Sequence, residues 1–258
     1  MSTIKIGLQM HAVREDFSEN PFETFKKIKN MGYDGVEFNY SAMNLGASEY
    51  AGMLAEIGLE CFGMLVDWDN LKPDRLCETM NYCHTLGTDK LIIGQVPLDE
   101  LKKDIDAPKR ALEYIIKLYD TLKGDGFTIG YHSHDTDFEV SYNDKTFYEY
   151  VMDNTADDFL VVLDTGNTVG GGGDPLKLIQ KYPDRALILH IKGYSEKSKY
   201  LTPVWESDYD IENVITEAIE SANTRYFDIE FGARGEYVPM ERAEKSGKWL
   251  IEKTEKRR

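Results

Sequence analysis

Short apolar stretches, many of them alternating, recur along the chain, separated by segments whose apolar residues return every three to four positions. IKIGLQM (4–10) alternates and predicts a first strand. A loop over 14–20 follows, then an amphipathic helix opened by Pro21 and stopped by Gly32, with Phe22, Phe25, Ile28 and Met31 on one face. GVEF (35–38) is the second strand, a helix over 47–57 ends at Gly58, and LECFGMLV (59–66) is the third strand. Pro73 opens a helix carrying Leu76, Met80, Cys83 and Leu86 and ending at Gly87, before the fourth strand KLIIG (90–94). A long helix over 98–122, broken near Pro108, leads to FTIGYH (127–132), the fifth. A polar hairpin-like segment around Asn143 and Asp144 and a helix over 147–152 precede FLVVL (159–163), the sixth. The pattern continues with a helix over 175–181, strand ALILHI (186–191), a helix over 209–222, strand YFDIEF (226–231) and a closing helix over 239–255.

Strands that each precede a helical stretch, eight times in 258 residues, match what a (β/α)8 TIM barrel needs, and such barrels run to about 250 residues as one domain. The expectation is one barrel domain over 1–258. A doubly wound open sheet is the alternative, but the first strand-to-helix turn lacks Gly-x-Gly-x-x-Gly, the phosphate-binding signature of dinucleotide folds.

Composition narrows the partners. Hydrophobic residues at 41% supply a sizeable core, while a net charge of −16 disfavours both a nucleic-acid backbone and an anionic membrane, whose binding rests on Lys and Arg. The three cysteines, Cys61, Cys77 and Cys83, are odd in number and not at metal-site spacing, so neither a disulfide framework nor a zinc knuckle is indicated. The first residues lack the apolar core of a signal peptide, and no run reaches the roughly 18 apolar residues of a membrane span. A cytoplasmic protein with a small-molecule substrate is expected.

Candidate chemistry sits at the ends of the last four strands, the side where barrel enzymes gather their catalytic groups. The fifth strand leads into His132, His134, Asp135, Asp137 and Glu139; the sixth ends at Asp164; the seventh holds His190; the eighth ends at Glu230. Oxygen-rich ligands with one imidazole suit Mn²⁺, Mg²⁺ or Co²⁺, with Zn²⁺ a further candidate. Each residue also has a plainer role. Asp164 before Thr-Gly can close a turn, His190 can be a hydrogen-bonded core histidine, and Glu230 can face the helices or a salt bridge. The single Asp-Thr-Gly argues against an aspartic protease, which needs two such carboxylates. Gly170–Gly173 lacks the Lys-Ser/Thr of a phosphate loop and reads as a flexible turn over the site. Glu37 either hydrogen-bonds substrate or caps the barrel mouth; Cys61 and Met64 read as packing.

Over nearly its full length the chain resembles the xylose isomerase-like TIM-barrel family, in its sugar isomerase and epimerase branch. The residues that carry the resemblance are GLQMHAVRED (7–16), MGYDGVEF (31–38), GYHSHDTDFE (130–139), VVLDTGN (161–167) with GGDP (172–175), LHIKGY (189–194) and DIEFGA (228–233). The resemblance implies a divalent metal held by Glu, Asp, His and Glu from the last four strands. Asp164 falls in the family's Leu-Asp-Thr-Gly element, His190 in its His-(Ile/Leu)-Lys element and Glu230 at the end of the final strand. For the first glutamate, an ungapped match offers Asp137, whereas keeping the local Phe-Glu pair selects Glu139, the expected ligand. Lys192-Gly193 replaces the family's usual Lys-Asp.

The function so implied is a metal-dependent isomerase or epimerase of a keto or aldo sugar, or of a related polyol. Glu139 and Glu230 exchange the proton, and His134, Lys192 and Glu37 are candidate substrate contacts. Competing readings are a dehydratase or lyase at the same site and a non-catalytic sugar-binding barrel. The superfamily's endonuclease IV branch needs many histidines and a basic surface, which five histidines and a charge of −16 do not supply. The resemblance also allows a homo-oligomer.

Overall fold

Alternation along each strand decides which side chains face the helices and which face the interior. In the computed structural model, which describes residues 3–232 and 237–255, the strands are β1 (Lys5–Gln9), β2 (Gly35–Asn39), β3 (Glu60–Val66), β4 (Lys90–Ile93), β5 (Thr128–His132), β6 (Leu160–Asp164), β7 (Ile188–Ile191) and β8 (Tyr226–Ile229). All pair in parallel with their sequence neighbours, and β8 pairs back to β1, closing a single-domain (β/α)8 barrel. Ala233 of the DIEFGA motif lies outside the described residues.

One set of alternate residues, including Ile6, Leu8, Val36, Phe38, Ile129, Tyr131, Val161, Leu163, Leu189 and Ile229, is buried in the large cluster that also takes in the helices' apolar residues. The other set faces inward. Below the cavity it is apolar, with Ile92, Leu160, Val162 and Ile188 in one small cluster that reaches up to Leu65 at the mouth. Higher up the same positions become His132, Asp164, His190 and Asp228, each at most 1% exposed.

Phe62 marks the transition. The β2–β3 register slips between Val36 and Glu37, pairing Val36 with Cys61 and Glu37 with Gly63, so Phe62 is the extra residue of a bulge. Its ring needs glycine on the neighbouring strands. A Cβ on Gly35 would lie 2.3 Å from the Phe62 ring, and one on Gly7 would lie 2.6 Å from that ring and 1.9 Å from Asp228 Oδ1.

The strands expected from the sequence are all present; the connections differ in places. The loop expected over 14–20 contains a helix, α1 (Arg14–Glu19), before α2 (Pro21–Asn30). After α3 (Ala47–Ile57), the helix expected from Pro73 begins only at Leu76 (α4, Leu76–Leu86), after a turn in which Arg75 N–H bonds Lys72 O (2.9 Å). The long helix over 98–122 is two, α5 (Leu98–Leu101) and α6 (Ala107–Gly124); Pro108 lies in the first turn of α6, where its missing N–H leaves no bond unmade.

The hairpin is Ser141–Tyr142 with Lys145–Thr146, turned by Asn143 and Asp144 at φ 52° and 60°. It links α7 (Thr136–Glu139) to α8 (Phe147–Asp153), and α9 (Thr165–Gly170), α10 (Pro175–Lys181), α11 (Ile211–Glu220) and α12 (Pro239–Thr254) complete the helices. The glycine run is not a flexible turn over the site: Gly170 ends α9, and Cβ atoms on Gly171 and Gly173 would press on Asp135 O (2.4 Å) and the Phe138 ring (2.9 Å). It is a close-packed corner that docks α9 on α7.

The Phe62 packing is open to test. Gly35→Ala is expected to lower the free energy of unfolding in urea by about 1–3 kcal/mol, with Phe62→Leu in the same chain recovering part of the loss. Equal stability of Gly35→Ala and wild type would refute the close approach.

Candidate metal centre

Four interior side chains on four adjacent strand ends meet at one point. His132 (β5), Asp164 (β6), His190 (β7) and Glu230, one residue past β8, bring ligand-capable atoms within 4.8 Å of one another, all buried. His132 Nε2 is 3.0 Å from His190 Nδ1, 3.4 Å from Glu230 Oε2 and 3.7 Å from Asp164 Oδ2, and His190 Nδ1 is 2.7 Å from Glu230 Oε2. Two strands set this alignment by register, since Asp164 pairs with His190 across β6 and β7.

Asp164 divides its two oxygens between fold and site. Oδ1 accepts the Asn167 N–H at 2.7 Å and so caps α9, the turn role expected of an Asp before Thr-Gly. Oδ2 is buried without a hydrogen bond and faces the cluster. The capping loop is itself pinned: Asn167 Nδ2 donates to Ser133 O, Ser133 Oγ accepts from Asp164 N, and Thr165 Oγ1 accepts from Lys192 N and Tyr209 OH.

Lys192 stands beside the cluster, its Nζ 2.9 Å from Glu230 Oε1 and 3.4 Å from Asp164 Oδ2. Burial opposes the charge of Glu230, yet Lys192, His132 and His190 outweigh it and hold that carboxyl well below its ordinary range. Burial also opposes the Lys192 charge, which Asp164 and Glu230 favour enough to raise its pKa. Asp164 is pushed up to about 7 by burial, with Glu230 adding to it and Lys192 opposing. His132 falls to about 3 through burial and the nearby His190, leaving its imidazole neutral.

Beneath the cluster lies a second acidic layer. Glu37 and Asp228 are 0% exposed, and with His190 they form a group of ligand-capable atoms within 4.8 Å. Glu37 Oε2 is 3.1 Å from His190 Nε2, and no oxygen of Glu37 or Asp228 has a hydrogen bond. Burial works against a charged His190, but Glu37 and Glu230 on either side raise its pKa well above ordinary. Burial and Glu37 raise Asp228.

These positions sort the residues singled out from the sequence. Asp164, His190 and Glu230 are brought together. Glu139 is not: the chain past β5 turns at once into the one-turn α7, which leaves Glu139 exposed. Asp137 is buried but committed elsewhere, accepting from His134 N (2.7 Å) and Tyr131 OH (2.8 Å), with burial raising its pKa to about 7. The β5 corner falls instead to His132, whose two-residue spacing from His134 was the available signal. Glu37, expected at the substrate or the barrel mouth, sits under His190, out of reach of a ligand above. Asp228 was missed, although its place two residues before Glu230 puts both on one strand face.

A cavity of about 300 Å³ opens over the cluster, lined by Gln9, His11, Asn39, His132, His134, Lys192, Tyr200 and Glu230 among others. His134 thus reaches it, with a buried Nδ1 that has no hydrogen bond; burial, then Lys192, lowers its pKa to about 4. The donor set fits a divalent ion. Bonds of about 2.0–2.1 Å in a tetrahedron put ligands about 3.4 Å apart, and the contacts to His132 span 3.0 to 3.7 Å. The unpartnered Asp164 oxygen and the excess of buried carboxylates over cations point the same way.

Comparison with known proteins agrees with the barrel. No curated protein sequence matches the chain. Among solved structures, a sugar phosphate isomerase/epimerase from Parabacteroides distasonis ATCC 8503 superposes with a TM-score of 0.77 at 19% identity, over 96% of this chain and 98% of that one. An L-ribulose 3-epimerase gives 0.66 at 15% identity, over 98% and 95% of the two chains. The IOLI protein with a bound zinc atom gives 0.69 at 16% identity, over 99% of both. The sequence model of the xylose isomerase-like TIM barrel matches residues 25–252, and the chain belongs to that family.

Proposed function

We propose that this chain is a divalent-metal-dependent isomerase or epimerase that moves a proton beside the carbonyl of a sugar or related polyol. The observation that carries the reading is the convergence of His132 Nε2, Asp164 Oδ2, His190 Nδ1 and Glu230 Oε2 under an open cavity. With two imidazoles in the set, the site suits Zn²⁺, Co²⁺ or Mn²⁺ better than Mg²⁺. When bound, such an ion would polarise the substrate carbonyl.

The chain's own groups handle the proton. Glu230, kept ionised by Lys192, accepts it from the carbon beside the carbonyl, and the Lys192 ammonium donates a hydrogen bond to the oxygen that gains charge. Glu139 stands outside the cavity, so the proton for the other face passes through His134, whose unpartnered Nδ1 takes one from solvent and hands it to the carbon, while Glu230 releases the proton it accepted to solvent. Glu37, its carboxylate 3.1 Å from His190 Nε2, favours by charge a proton on that nitrogen and so leaves Nδ1 for the ion.

A second reading rests on the same corner. With His132 in place of a glutamate, Glu230 is the one carboxylate lining the described cavity, and a single base with an acid opposite also suits elimination of a β-hydroxyl. Deuterium entering substrate from solvent without loss of water supports epimerisation; formation of an unsaturated product supports the dehydratase.

In deuterated buffer, Glu230→Gln is expected to abolish exchange, whereas His134→Ala keeps exchange on one face and loses net epimer. Exchange at the wild-type rate in Glu230→Gln would sink the assignment. For the metal, Asp164→Asn is expected to keep the α9 cap and the melting temperature while weakening affinity in chelator competition by about ten-fold or more. Asp164→Ala loses affinity and about 0.5–2 kcal/mol of stability as well. Unchanged metal affinity in both variants would favour a non-catalytic barrel.

A further inference from the structure

A second cavity, about 240 Å³, opens beside the one over the cluster and shares Asn39, Leu65 and His134 with it as a common wall. The residues beyond that wall come from the loops after β3 and β4: Asp67, Trp68 and Asp69 from one, Gly94, Gln95 and Pro97 from the other. The first cavity alone is near the lower bound of about 300 Å³ for a small-molecule site. Sharing three lining residues, the two cavities adjoin at the barrel mouth, one over the cluster and one beside it.

The chemistry of the second lobe is uniform enough to select a ligand. Trp68, Leu65 and Pro97 offer an apolar wall, with Trp68 held edge-on against Tyr114 at 5.3 Å. Asp67, Gln95 and Asn39 offer hydrogen-bonding groups. Asp67 is anchored by the Ser41 hydroxyl, and Gln95 Nε2 donates to Thr136 Oγ1 at 2.7 Å, which leaves its carbonyl as an acceptor. An aromatic face with carboxylate and amide acceptors suits a ring that is apolar on its faces and hydroxylated on its edge.

Charge decides against a phosphate. Among the described residues lining the second cavity there is no Lys or Arg, and two of them are aspartates. In the first cavity the one Lys or Arg among the described residues is Lys192, which stands at the reacting end beside Glu230 and Asp164 (2.9 and 3.4 Å) and not toward the second lobe. A phosphate in the second lobe would meet like charge and no cation.

We infer that the substrate carries a second, uncharged sugar ring, held in this lobe while the first ring reacts at the cluster: a glycoside or disaccharide with a keto or aldo end. This inference rests on the proposed sugar chemistry at the first cavity.

Calorimetric titration of the metal-loaded protein with fructose, fructose 6-phosphate and the glucosyl-fructose isomers, which differ only in the hydroxyl carrying glucose, tests it. At least one isomer is expected to bind about ten-fold more tightly than fructose, and fructose 6-phosphate no more tightly. Trp68→Ala, and separately Asp67→Asn, is expected to bring the affinity ratio of that isomer to fructose close to one. Asp67→Asn keeps the test open if the Trp68 variant fails to fold. Isomers no tighter than fructose, a ratio unmoved by both substitutions, or preferred binding of the phosphate each overturns the second-ring subsite. Fructose that binds and exchanges deuterium without any gain for the isomers removes the subsite alone; failure of every sugar to bind or exchange removes the proposed function with it.

Discussion

Much of the interior is organised around one histidine among buried carboxylates. Glu37, Asp164, Asp228 and Glu230 all lie inside the barrel, where an unpaired ionised carboxylate costs several kcal/mol. Lys192 can face only the upper pair. His190 touches both layers, Nδ1 toward Glu230 and Nε2 toward Glu37. As an imidazolium it bridges the two carboxylates by charge. With an ion above, it must give up the Nδ1 proton, and Glu37 then fixes the tautomer that leaves Nδ1 free. The lower layer therefore serves the upper one without touching substrate, and the ion supplies the positive charge that the imidazolium loses.

That arrangement needs a barrel whose inward positions change character with height. Near the bottom, Phe62 fills space that only glycine at Gly7 and Gly35 leaves open, and aliphatic residues seal the rest. One step up, Gly7 matters again, because Asp228 Oδ1 occupies the place its side chain would take. The same small residue thus admits the aromatic plug and the buried acid.

Much of this was legible in the sequence for a simple reason. A strand announces itself by period two, and its last inward residue is near the site, so Asp164, His190 and Glu230 stood out at the ends of apolar runs. The β5 end did not, because neither the ungapped match to Asp137 nor the Phe-Glu pair of Glu139 registers a helical turn after His134. Asp135 instead accepts the Thr136 N–H and starts α7, which turns Asp137 into a buried cap for His134 N and sends Glu139 to the surface. One helical turn is too short for periodicity to reveal. The alternation within β5 was the better guide, and it selects His132. Glu37 misled for the opposite reason: it nearly ends a strand, but Asn39, the next inward residue, is the one that reaches the cavity. Asp228 gave no signal of its own beyond sharing a face with Glu230.

The two cavities divide the barrel mouth by function. Strands β5 to β8 supply the converging ligand atoms and Lys192, so loops there are constrained by hydrogen bonds such as those joining Ser133, Asp164, Asn167 and Thr165. The second lobe is built largely by the loops after β3 and β4 and meets the first at Asn39, Leu65 and His134. Substrate selection can therefore change with those loops while the geometry that moves the proton stays fixed. His134 is where the halves meet: it borders both cavities, so a ring seated in the second lobe helps set the position of the first ring against the group that returns the proton.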